Sequence, residues 1–139
     1  MTIISGPDVK KGTVDDIGSQ TDIFKTFLSL ANIKSKFSSI DSFDLSETIR
    51  KGKPSKRKFI PYFVGSELRA FRYKNHKIHF ITQGAYNMPP PRELHEKPLL
   101  YDLSKDIGES QDISEIDTKT LEIIIKESEL FKKDLIIRK

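Results

Sequence analysis

The chain has 139 residues, no cysteine, and 24 lysines and arginines against 20 aspartates and glutamates, a formal net charge of +4. At about 100–200 residues per domain this is one domain or part of a larger one, and the missing cysteine excludes a disulfide, a thiolate zinc site and a cysteine nucleophile. No apolar run approaches the ~20 residues of a membrane span, and the opening MTIISGPDVKKG turns polar after Ile4, short of the ~7–15 apolar residues of a signal peptide.

The first element in chain order is a helix. SQTDIFKTFLSLANI sets Ile23, Phe24, Phe27, Leu28, Leu30 and Ala31 largely on one side, and the spacing predicts a helix over about 21–33. Ser19 or Thr21 is the expected N-cap, and Asp22 in the first turn suits the helix dipole. DLSETIRKG, from Asp44 to Gly52, suits a second short helix stopped by its glycine. The basic run GKPSKRK after it reads as a solvated loop carrying Lys53, Lys56, Arg57 and Lys58, since nothing apolar gives it a face to bury.

Beyond Lys58 the period changes. FIPYFVG, LRAFRY and HKIHFIT are rich in aromatic and β-branched residues and separated by short polar breaks, the pattern of an antiparallel meander with Lys74-Asn75 as its best hairpin turn. Alternation in the third run sets Ile78, Phe80 and Thr82 on one face and Lys77, His79 and Ile81 on the other. GAYNMPPPRELHEKP holds four prolines and reads as a long loop. LLYDL follows as a fourth strand and DIGESQDIS as a turn. DTKTLEIIIKESELFKKDLIIRK, capped by Asp117 or Thr118, repeats apolar residues at Leu121, Ile124, Ile125, Leu130 and Leu135, a helix that needs a partner surface.

Residues that could carry chemistry are few. His76 and His79 stand an odd number apart in one strand and point to opposite faces, so they do not share a metal without a bulge. No G-x-S-x-G elbow or glycine-rich phosphate loop is present, and acid pairs such as Asp15-Asp16 and Asp41/Asp44 sit at helix starts, where carboxylates cap backbone donors. The basic run lacks interleaved aromatics, so nucleic acid is not the expected partner. Neither is a membrane.

Three stretches carry a resemblance. GTVDDIGSQTDIFKTFLSLANI resembles a run in which an aspartate-led helix reads D-[IL]-[FL]-P-T-L and ends L-A-G. LRAFRYKNHKIHFITQG is similar to a strand pair with an A-V-R strand returning as K-x-H-F. HEKPLLYDLSKDIGES resembles H-E-P-P-L-L-Y-D-L-S-K-D-P-G-E. Together, over roughly Gly12 to Ser114, they resemble the C-terminal region of arylsulfatase A-like sulfatases. Lys25 stands for the family's helix proline, Asn32 for the glycine of A-G, and Ile107 for the proline of D-P-G-E.

The resemblance implies an α+β fold: a small four-stranded antiparallel sheet with the C-terminal helix packed on it, preceded by a helix from the edge of a larger alkaline-phosphatase-like α/β domain. It divides the chain into residues 1–50, a remnant of that domain's edge, and 51–139, the C-terminal subdomain. Such enzymes hydrolyse sulfate esters with a formylglycine made in C/S-x-P-S-R and with a calcium ion, and both belong to a segment this chain lacks, whether as a truncated product or an incomplete gene. GKPSKR imitates the motif but has Gly52 at the modified position and Lys56 at the arginine. Of the family's pocket residues only His95 falls in the chain, as a residue bordering the substrate. The expected partner is the missing N-terminal catalytic domain, in a lysosomal or secreted parent, and the chain alone is expected to be inert. The competing expectation is a non-enzymatic module that uses its basic loop and basic C-terminus to hold an anionic partner, nucleic acid or a sulfated glycan.

Overall fold

The computed structural model describes residues 2–34 and 40–135. Its contacts divide the chain into two units, Met1–Lys58 and Phe59–Lys139. Ser55 and Arg57 are bonded into the first unit: Ser55 Oγ donates to the Ile17 carbonyl at 2.7 Å and Arg57 reaches Asp22.

In the first unit, helix α1 (Asp22–Leu30) ends before the expected Ile33. Asn32 takes a left-handed φ of 55°, its N–H bonds the Ser29 carbonyl, and the Ile33 N–H bonds the Leu28 carbonyl at 2.8 Å. This double closure favours glycine at the left-handed position and accepts asparagine, which accounts for Asn32 where the family pattern has glycine. The α1 N-terminus also differs from expectation. The Thr21 side chain makes no cap bond, and Asp22 itself accepts the Ser19 N–H at 2.8 Å. Helix α2 (Ser46–Lys51) lies within the expected segment, with the Asp44 carboxylate accepting from Ser46 N–H at 2.9 Å and Gly52 ending it at a φ of 66°.

The second unit begins with the meander: β1 (Phe59–Val64), β2 (Glu67–Tyr73) and β3 (His76–Thr82), each antiparallel to the next, with Tyr73 opposite His76 across the Lys74-Asn75 turn. Strand β4 (Glu93–Asp102) pairs with β3 and completes the order β1-β2-β3-β4. It starts well before the expected LLYDL, taking Glu93 to Pro98 out of the proline loop. Pro98 is tolerated because β4 is an edge strand and its pairing slips between His79 and Ile81. In the loop before it, a side chain at Gly84 would run into the backbone of Met88 and Pro89.

Helix α3 (Thr118–Asp134) is capped by Asp117, whose carboxylate accepts the Thr120 N–H at 3.1 Å; residues 136–139 of the expected helix lie outside the described residues. Leu121 and Ile124 pack on Phe71, Ile78 and Leu100, with the Phe59, Phe71 and Phe131 rings 5.4–5.8 Å apart. Leu130 and Leu135, expected on this face, are exposed. The inward row runs 121, 124, 125, 128, 131, which places Leu130 half a turn away and buries Ser128, whose hydroxyl donates to the Ile125 carbonyl. Ile81 is buried although it alternates with half-buried Lys77 and His79. The β4–α3 connection runs back along β4: Leu100 N–H donates to Asp112 at 2.9 Å, Ile113 N–H donates to the Leu100 carbonyl at 2.8 Å, and the Asp102 carbonyl accepts from Lys105 and Asp106.

Candidate functional site

His95 lies early in β4, where the strand passes the end of β3. Its Nε2 is 2.8 Å from Thr82 Oγ1, its Nδ1 is 3.9 Å from Glu93 Oε1, and the imidazole is largely covered. Nε2 is thus engaged by Thr82, and Nδ1 stands beside Glu93.

His76 and His79 separate as the alternation requires. His76 Nε2 stands 3.9 Å from Asp102 on β4. His79 Nε2 is 2.6 Å from Glu109 of the β4–α3 connection, whose other oxygen accepts from Lys77 Nζ at 2.6 Å. Burial alone would raise the Glu109 carboxyl, but Lys77 and His79 outweigh it and hold it below the usual carboxylate range. It is thus an acceptor, and His79 carries its proton on Nε2. Burial pushes the His79 imidazole below its ordinary value and Lys77 pushes the same way, with Glu109 opposing. The Tyr101 ring meets His79 edge-on at 5.6 Å and Lys77 lies over the Tyr62 ring at 4.7 Å. Glu109 sits at a φ of 53°, a backbone strained for a side chain, which these two donors help to hold. The sequence pattern predicts only a turn here.

The first unit hides a second arrangement that the sequence reading missed. Arg57, expected in a solvated loop, is 3% exposed. Its Nε and one terminal nitrogen each donate at 2.8 Å to the two oxygens of Asp22, the latter also to Asp41 at 3.2 Å and to Thr21 Oγ1. Burial would raise Asp22, but the Arg57 side chain and the Phe43 and Ser19 N–H groups together hold it below its ordinary value. The signal available was the one arginine among lysines, since the planar guanidinium suits a two-pronged buried pair. Lys53 is engaged as well, at 2.6 Å from Glu47. Arg57 is therefore tied into the first unit and Lys53 is ion-paired, while Lys56 and Lys58 stay exposed. Ser55, in the imitation motif, is structural: its hydroxyl bonds Ile17 and accepts the Arg57 N–H at 3.1 Å. Among the described residues no three His, Cys, Asp or Glu side chains group as they would around a metal.

A family profile described as the C-terminal region of aryl-sulfatase matches residues 55–135. The chain belongs to the sulfatase family. Human arylsulfatase A is 30% identical over 120 residues, covering 76% of this chain and 24% of the relative; bovine arylsulfatase A is 29% identical over 143 residues, covering 89% and 28%. The chain thus spans about a quarter of the length of these sulfatases. In solved structures the fold recurs in the PsFucS1 sulfatase of a Pseudoalteromonas species, with a TM-score of 0.68 at 19% identity over 81% of this chain and 25% of the other. It recurs also in a Bacteroides thetaiotaomicron protein solved in work on glycosaminoglycan metabolism, with a TM-score of 0.61 at 21% identity, covering 81% and 24%. The four-stranded sheet with α3 on it is the C-terminal sulfatase subdomain expected from the sequence.

Proposed function

We propose that this chain serves as the C-terminal part of an arylsulfatase-type sulfatase, an enzyme that hydrolyses sulfate esters, working in a lysosome or outside the cell. The observation that carries the reading is the family profile's match across 55–135 in a chain that spans about a quarter of its relatives. His95 is the residue this part contributes to the substrate pocket. The Thr82 contact leaves its Nδ1 edge to meet a polar group of the substrate.

The residues present do not fit a formylglycine or a calcium site: no Cys or Ser stands at the first position of C/S-x-P-S-R, and no carboxylate group of the needed number converges among the described residues. Nucleophile and cation belong, on this reading, to the N-terminal part, and the chain by itself does not turn over. The test is hydrolysis of an aryl sulfate by the purified chain with calcium present. No turnover is expected, because nucleophile and Lewis acid are both lacking. Turnover that co-purifies with the chain and survives His95→Ala would overturn the assignment.

A further inference from the structure

Strand pairing gathers two polar side chains around His95. Thr82 on β3 stands opposite Glu93 on β4, and His95 follows Glu93 by two residues, which in a strand is the same face. His95 Nε2 lies 2.8 Å from Thr82 Oγ1, and Nδ1 lies 3.9 Å from Glu93 Oε1. A carboxylate only accepts, so it draws the imidazole proton to Nδ1. Nε2 is then the acceptor, and the Thr82 hydroxyl donates to it. The 3.9 Å separation is too long for a direct hydrogen bond and short enough for one oxygen to reach both atoms. Among the described residues Nδ1 makes no hydrogen bond, yet the one buried polar side-chain atom left without a partner is Arg50 Nε. Nδ1 therefore touches solvent.

We propose that Glu93 and His95 together form a subsite for a neutral hydroxyl of the substrate, with Thr82 as the residue that positions the imidazole. This deepens the proposed function and rests on it. A hydroxyl both donates and accepts: its oxygen accepts from Nδ1–H while its hydrogen goes to the Glu93 carboxylate. An anionic group, a second sulfate included, has no hydrogen for that carboxylate and is repelled by it. No cation offsets the repulsion. Among the described residues no lysine or arginine pairs with Glu93, its neighbour Arg92 is paired with Glu67 at 2.6 Å, and Arg69 is paired with the same Glu67 at 3.0 Å. Glu93, with 70% of its side chain exposed, is thus the group that decides which substituent is admitted. Thr82 acts through His95, by holding the tautomer that donates.

Long-range proton–nitrogen spectra of the ¹⁵N-labelled chain, taken at alkaline pH where imidazole is neutral, read the His95 tautomer directly. The expected result is Nδ1–H in the parent and in Thr82→Ser, with a shift towards Nε2–H in Thr82→Val. Nε2–H in the parent would leave the site without its donor and overturn the proposal, and an unchanged tautomer in Thr82→Val would overturn the positioning role. Titrations with methyl glucoside and with inorganic sulfate, at matched ionic strength, then test the occupant. The glycoside should move the Nδ1 signal several-fold more than sulfate does, and Glu93→Gln should abolish that preference. A response to sulfate as large as that to the glycoside, a response to neither, or a preference that survives in Glu93→Gln would overturn the subsite. Each of these outcomes leaves the sulfatase reading in place, since that reading stands or falls on turnover by the chain.

Discussion

The two units solve the problem of an interior in opposite ways. In Phe59–Lys139 the buried residues are mostly hydrocarbon: Ala70, Phe71, Ile78, Ile81, Leu100, Leu121 and Ile124, with Ser114 and Ser128 the polar exceptions. In Met1–Lys58 the order is reversed, with Asp22, Thr26, Ser42, Ser46, Thr48 and Arg57 buried and Ile17 the one buried hydrophobic residue among those described. Hydrophobic burial is non-directional and tolerates local adjustment, whereas a buried charge pair is stable only while every partner stays in place. The second unit therefore has the makings of a self-sufficient fold. The first is a hydrogen-bonded frame that turns its apolar side chains outward.

The severest way to break this comparison is Arg57→Ala. It strands the Asp22 carboxylate without its two-pronged partner, and loss of one member of a buried pair costs about 3–5 kcal/mol. Urea unfolding should show the first unit melting first. A loss below about 1 kcal/mol would mean that the polar frame does not hold that unit. In the second unit, Ile124→Ala removes a side chain that is 1% exposed from the helix–sheet contact and should cost about 2–5 kcal/mol by the same measurement, leaving the first unit's transition where it was.

Acid sharpens the contrast. The Asp22 carboxyl is lowered in the folded protein, so its contribution is present above the ordinary value of 3.8 and is lost as pH falls through the depressed one. His79 is lowered from 6.5, so its contribution to the second unit is complete above that value and fades as pH falls below it. Unfolding midpoints of the second unit should therefore slip modestly between neutral and mildly acidic pH. His79→Gln, which keeps a donor for Glu109, should flatten that slope, and an unchanged slope would place the titration elsewhere. The smallest expected effects are at Lys53, Lys56 and Lys58. Serine at each should alter stability by no more than ~0.5 kcal/mol, in contrast to their neighbour Arg57.

What could be read in advance follows the same division. The strands of the second unit announce themselves by β-branched and aromatic runs, the hairpin by Lys74-Asn75 and the last helix by Asp117, because each signal is local. Features set by distant partners were not legible. Arg57 looked solvated because Asp22 is 35 residues away. Glu93 to Pro98 looked like loop because only an edge position makes proline acceptable in a strand. Leu130 looked inward because Phe131, the residue that meets the sheet, follows it by one. His95 could be named from the resemblance, but its Thr82 contact depends on the β3–β4 register, which no short motif encodes.

The way the connection folds back along β4 bears on how this sheet behaves in a crowded solution. An edge strand offers rows of free donors and acceptors to any other strand it meets. Here Pro98 has no N–H to offer, both Leu100 backbone groups are taken by Asp112 and Ile113, and the Asp102 carbonyl is taken by Lys105 and Asp106. A stranger arriving at that stretch of the border finds these groups already engaged, and at the opposite edge of the sheet, β1, Pro61 has no N–H to offer.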